Sequence, residues 1–125
     1  MKTPLTEQEL HNLAMNHVGR ELEERGFEFI SVNSTLKKHP QFVCVDKNQQ
    51  RFFVVVRAVK LPANPHNYDV VWMETFKKHA KDNEAIVLFA GLGLGNPDEE
   101  SLPIYLDEDY LLEYNGIQVI ETPLN

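Results

Sequence analysis

A single cysteine, Cys44, occurs among 125 residues, so an internal disulfide is excluded and no framework of bridges holds the chain. Cys44 sits in the run Gln41-Phe42-Val43-Cys44-Val45, where a packed, reduced thiol is expected, and with it a cytoplasmic location. Basic residues are in deficit: 12 Lys and Arg face 19 Asp and Glu, a formal net charge of -7. A surface that tracks phosphates needs the opposite balance, so the expected partner is a protein rather than a nucleic acid. Long apolar runs are missing as well. No stretch approaches the roughly 18 apolar residues of a membrane span. The opening Met1-Lys2-Thr3-Pro4-Leu5-Thr6-Glu7-Gln8-Glu9 has no apolar leader segment, so neither insertion nor export is expected.

Catalytic signatures are equally sparse. The histidines His11, His17, His39, His66 and His79 include no HxxxH pair, and the spacing of His11 and His17 puts them on different faces of a helix. No Gly-x-Ser-x-Gly elbow surrounds Ser31, Ser34 or Ser101, and Cys44 lies in no recognisable Cys/His signature. Gly91, Gly93 and Gly95 follow an apolar run without dinucleotide-binding spacing, and the acidic Asp98-Glu99-Glu100 just beyond would repel a diphosphate. A bulged or flexible turn is the expectation there. No resident metal or cofactor follows from these patterns.

What the chain does contain is 42% apolar and 25% charged residues, the balance of one soluble globular domain over residues 1–125. Thr6 and Glu9 form a capping box and Leu5 and Leu10 a hydrophobic staple, so a helix starts near Glu7, with Leu10, Leu13, Ala14, Val18 and Leu22 as its apolar stripe and Gly26 as its stop. Residues 27–32, 41–45 and 51–59 read as three strands, the last two forming a hairpin around residues 46–50. The unbroken run Phe52-Phe53-Val54-Val55-Val56 predicts a strand covered on both faces. After the proline-containing connector 61–66, a second helix is expected over about 68–82, capped by Asn67 or Asp69, with Trp72, Met73, Phe76 and Ala80 turned inward. Residues 85–90 then form a strand parallel to the third. Beyond it the expectation is a strand over 102–106, a short helix over 107–115 stopped by Gly116, and a terminal edge strand over 117–120.

This order of helix, three strands, helix and strand resembles the core of the PD-(D/E)XK phosphodiesterase superfamily, the restriction-endonuclease-like fold, over roughly residues 6–90. The resemblance implies an α/β (α+β) domain, with a mixed central sheet between helices and residues 91–125 as a C-terminal extension. It also implies a magnesium site on the second and third strands, built from an Asp and an acidic-x-Lys triplet. The matching positions hold Gln41, Val55 and Arg57. A valine offers no ligand oxygen, a glutamine only a neutral one, and an arginine stays charged and cannot serve as a base. A shifted register supplies Asp46 and Lys60 but sets Ala58 where an acid belongs. Acids on the helices, Glu74 or Asp69 and Glu21 or Glu24, would then have to complete the set.

The reading that follows is a non-enzymatic accessory or protein-interaction domain on a nuclease-like scaffold whose metal motif is vestigial. One alternative is a magnesium-dependent nuclease using Asp46, Lys60, Glu74 and Glu21. The other is a small-molecule binder built on His66, Tyr68, Asp69 and Trp72, where the third strand hands over to the second helix. Arg57 shares a strand face with Phe53, Val55 and Val59, so it needs a partner, expected to be a carboxylate of Glu21, Asp69 or Glu74, or else exposure at the end of the sheet. The acidic groups 98–100 and 107–109 would suit a basic protein partner.

Overall fold

A computed structural model describes residues 2–120. Its elements run α1 (Glu7–Glu24), β1 (Glu28–Val32), β2 (Phe42–Val45), β3 (Arg51–Lys60), α2 (Val70–Asp82), β4 (Ala85–Gly95), β5 (Leu111–Tyr114) and β6 (Gln118–Ile120). The sheet is six-stranded and mixed, ordered β1-β2-β3-β4-β5, with β6 also paired to β4. The β1, β2 and β3 pairings are antiparallel, whereas β3 and β4 lie parallel from Arg51 opposite Ala85 to Lys60 opposite Leu94. The α+β class and the expected succession of helix, three strands, helix and strand are both present.

The capping box forms as anticipated: Thr6 Oγ1 accepts from Glu9 N at 3.1 Å, and Glu9 Oε1 accepts from Thr6 N at 2.9 Å. The buried stripe of α1 is His11, Ala14, Met15, Val18 and Leu22. Leu10 and Leu13 are only half-buried, so the helix is rotated toward His11 relative to the expected stripe. That rotation brings a polar ring into the interior.

Alternation along β3 builds two cores. Val54 and Val56 join Leu88, Ala90 and Leu92 under α1, while Phe53 and Val55 join Val87 and Phe89 under α2. Each fully buried side chain of this kind contributes about 1.5–3 kcal/mol, which is why β3 and β4 carry apolar residues on both faces. Asp69 is the N-cap of α2, its carboxylate accepting from Trp72 N at 3.0 Å. Met73, Phe76 and Ala80 are buried as expected; Lys77 is buried with them, its Nζ 2.8 Å from Glu74 Oε1.

Four expectations are corrected in the C-terminal third: the turn at 91–95, the helix over 107–115, its stop at Gly116 and the strand over 102–106. Residues 91–95 form no turn but continue β4, with Leu92 and Leu94 fully buried and Leu92 packed into the α1-side core. The intervening glycines face the other side, where the connector after β3 lies flat on the sheet: a Cβ on Gly91 would sit 2.0 Å from the Pro65 carbonyl oxygen, and one on Gly93 2.6 Å from Leu61. The Gly-Leu repeat is therefore a period-two strand with one bare face. The helix expected over 107–115 is absent too. Residues 111–114 form β5 on Leu92, Gly93, Leu94 and Gly95, and β6 follows on Val87, Leu88 and Phe89. Extended β4 exposes a row of backbone donors and acceptors, and pairing them outweighs the weak helical signal of this segment. Gly116, at φ +89°, stands at the break between β5 and β6 rather than at a helix end. Residues 102–106 make only an isolated bridge, Pro4 to Tyr105, instead of a strand. β4 therefore runs through residue 90 to Gly95, and residues 111–114 and 118–120 add two strands to the sheet.

Candidate functional site

The antiparallel pairing of β2 and β3 stops at Phe42 opposite Val54, and a cavity of about 270 Å³ opens where β3 runs on without β2, paired only to β4. Gln41 bridges the transition. Its backbone N donates to Val54 O at 3.0 Å, and its side-chain Oε1 accepts from Val56 N at 2.8 Å, so the carboxamide takes the place of the next strand residue. The side chain is fully buried; its Nε2 makes no hydrogen bond of good geometry among the described residues, and the His39 ring stands within side-chain hydrogen-bonding reach of the carboxamide. His11, 3% exposed, reaches the same cavity from α1 with its Nε2 also unpartnered. Buried polar atoms are nearly always paired, because leaving one unsatisfied costs about 1–3 kcal/mol. Two such nitrogens, one from α1 and one from the residue before β2, belong to side chains that line this cavity.

The remaining walls come from the segment before β2 (Lys37, His39), from β3 (Val55, Arg57), from the start of α2 (Tyr68, Asp69, Trp72) and from Phe89 of β4. Trp72 stacks on Phe76 at 5.0 Å between centroids and meets the edge of His39 at 4.7 Å. Tyr68 leans on Phe89 at 4.9 Å. Gln41, Val55 and Arg57 therefore line one cavity with Tyr68, Asp69 and Trp72. His66 does not join them: its Nε2 lies 3.1 Å from Asn115 Nδ2, on the route to β6. His11, His39 and Lys37 were missed by sequence reasoning; only His11 had a signal, its helical spacing with Ala14, Met15, Val18 and Leu22.

Arg57 is half-buried, and its partners are not the expected carboxylates. Its Nη1 donates to the main-chain carbonyls of Asn64 and Asn67, tying the connector to β3. A carbonyl satisfies a guanidinium proton without neutralising its charge, so the cavity keeps a cationic wall. Lys37 adds a second positive charge, whereas Asp69, the one carboxylate among the described residues of the lining, is engaged in capping α2. The N-terminus of α2, with no acid in its first turn, reinforces the positive bias.

The donor set does not fit magnesium. Asp46 holds the β2–β3 turn, its Oδ1 accepting from Asn48 N and Gln50 N. Lys60 stands at the opposite end of β3, roughly 30 Å from that turn at about 3.3 Å per residue, and donates to Glu100 O at 2.7 Å. Glu74 is paired with Lys77. Glu21 accepts from Tyr114 Oη and Ile117 N and pairs with Arg25 at 2.6 Å, locking α1 to the C-terminal strands. The residues required by the nuclease alternative thus occupy separate places. Among the described residues no three His, Cys, Asp or Glu side chains are grouped to hold a metal ion.

Burial lowers the pKa of His11, helped by the nearby His39, and also lowers those of His39 and His17. Cys44 is pushed up to about 11 by burial, so it stays a protonated, packed thiol. Because the unfolded histidines bind protons that the folded ones resist, stability is complete above about pH 6.5 and declines as the pH falls below it. Thermal melting across that interval should show a falling midpoint, with a shallower slope in His11→Leu. An unchanged slope in that variant would show that His11 keeps its ordinary affinity for protons.

Fold and cavity together define an α+β domain with several polar side chains gathered where β2 leaves β3. No helix among the described residues is long and apolar enough to cross a membrane. A family model described as "Domain of unknown function (DUF8840)" matches residues 8–120, and the chain belongs to that family. Comparison with curated proteins finds no match, and comparison with solved structures finds none either.

Proposed function

We propose that the protein is a non-enzymatic binding domain on a restriction-endonuclease-like scaffold, acting through the cavity that lies at the vestigial metal motif. The observation that carries this reading is the replacement of the three motif positions by Gln41, Val55 and Arg57, all of which line that cavity. Hydrogen-bond donors and apolar walls suit recognition; divalent-metal chemistry needs converging carboxylates. The order of the elements supports the scaffold assignment, and the buried thiol of Cys44 supports a reducing, cytoplasmic setting. The net charge of -7 favours a protein or small molecule over nucleic acid as the binding partner.

Incubation with single-stranded, duplex and branched DNA across a magnesium and manganese titration should give no cleavage above buffer. Metal-dependent cutting that disappears in Asp46→Ala would overturn the proposal in favour of a nuclease with displaced acids.

A further inference from the structure

The cavity's chemistry also specifies a class of occupant. Its volume, about 270 Å³, lies just below the roughly 300–1,000 Å³ usual for drug-sized ligands, so the ligand is small. Its one strongly placed cation is Arg57, which has Nη1 committed to Asn64 and Asn67 and no carboxylate partner among the described residues. A guanidinium so placed presents a planar edge that matches a planar carboxylate in two parallel hydrogen bonds. A phosphate dianion fits less well, because Val55, Tyr68, Trp72 and Phe89 supply mostly apolar walls that would strip its hydration without enough donors in return. Gln41 and His11 line the same cavity, and their buried Nε2 atoms make no hydrogen bond of good geometry among the described residues. The amide of Gln41 can only donate there, so the ligand must carry an acceptor as well.

We propose that this cavity binds a small heteroaromatic monocarboxylate, with its carboxylate held by Arg57, its ring between the aromatic walls and a ring acceptor bonded to Gln41. The proposal deepens the binding reading above and rests on it. Trp72, the one tryptophan of the chain, lines the cavity and reports occupancy by its fluorescence.

The test titrates the full chain with pyridine-3-carboxylate, benzoate, pyridine-3-carboxamide and inorganic phosphate near neutral pH. Pyridine-3-carboxylate should quench Trp72 saturably. The uncharged carboxamide should bind at least about tenfold more weakly, having lost the charge-assisted pair, and benzoate should also be weaker for want of the ring acceptor. Phosphate should neither bind nor compete. Gln41→Glu keeps an oxygen for Val56 N but replaces the donor by an anion, and should weaken the carboxylate by about tenfold or more. Asp69→Asn preserves a good helix cap while removing the neighbouring negative charge. It should tighten the carboxylate by about two- to fivefold and leave the carboxamide unchanged.

Equal affinity for carboxylate and carboxamide, or an Asp69→Asn variant that binds the carboxylate no better, overturns the assignment. A flat response of the folded protein to both also overturns it and leaves the two nitrogens to water. The cleavage assay on the same preparation keeps the readings apart: DNA cutting sinks the non-enzymatic proposal without touching the titration, and a failed titration in a non-cutting protein sinks only the ligand class.

Discussion

Gly91→Ala is expected to destabilise the domain by about 3 kcal/mol, the upper end of what overpacking normally costs. The added methyl would lie 2.0 Å from the Pro65 carbonyl oxygen and 2.8 Å from its carbonyl carbon. Both are backbone atoms and neither can swing aside like the end of a side chain. Relief requires lifting the connector off β4, and that connector carries Asn64 and Asn67, the carbonyl partners of Arg57. The cavity wall would move with it, so ligand binding should fall together with stability. Urea denaturation measures the first effect and the Trp72 titration the second. Gly19→Ala is the control: its new Cβ meets only the Phe42 ring at 3.6 Å within α1, so the expected change is a gain of up to about 1 kcal/mol. Parental stability in Gly91→Ala would mean that the connector is not seated on the glycine face of β4.

Phe89→Ala should cost still more, about 3–5 kcal/mol. The ring is 1% exposed, lies between Val87 and Gly91 on the α2 face of β4, and touches Tyr68. It also forms part of the cavity wall, so its removal enlarges the cavity instead of leaving a sealed void. Water then enters the space and competes for Gln41 and His11. The thermal midpoint should drop by roughly 10 °C or more, and any carboxylate binding should lose its distinction from the carboxamide. Phe89→Leu, which keeps most of the volume, should show a much smaller change. A Phe89→Ala loss below about 1 kcal/mol would be inconsistent with a ring buried in a close-packed core.

Much of the architecture was legible because it depends on local rules. The capping box fixed the start of α1, and the run from Phe52 to Val56 announced a strand buried on both faces. The strand–helix–strand order implied the parallel pairing of β3 with β4. Legibility failed where a local preference met a stronger long-range demand. The glycines of residues 91–95 looked like turn residues, since nothing nearby shows that Pro65 and Leu61 come down on them. Residues 107–115 looked helical because the free edge of β4 that recruits β5 lies in another part of the chain. In hindsight the alternation of Gly and Leu carried a strand signal, as period two does.

The candidate site divides along the same line. Its polar residues Gln41, Arg57, Asp69 and Trp72 were identifiable from positions relative to the strands and the second helix, and they share one cavity. The convergence of His11 and Lys37 on it was not identifiable, because they come from α1 and the segment before β2. Nor was the choice of main-chain carbonyls over carboxylates as partners for Arg57.

By itself, then, the amino-acid order determined which segments bury apolar faces and that Gln41, Val55 and Arg57 carry no carboxylate oxygen, since burial periodicity and side-chain chemistry belong to each residue and its near neighbours. Only the tertiary structure decided which distant polar groups meet, which sheet edge the C-terminal segment covers and which side chains line the cavity beside β3. Those outcomes arise from competition for hydrogen-bond partners and space among segments far apart in the chain, and no local pattern records it.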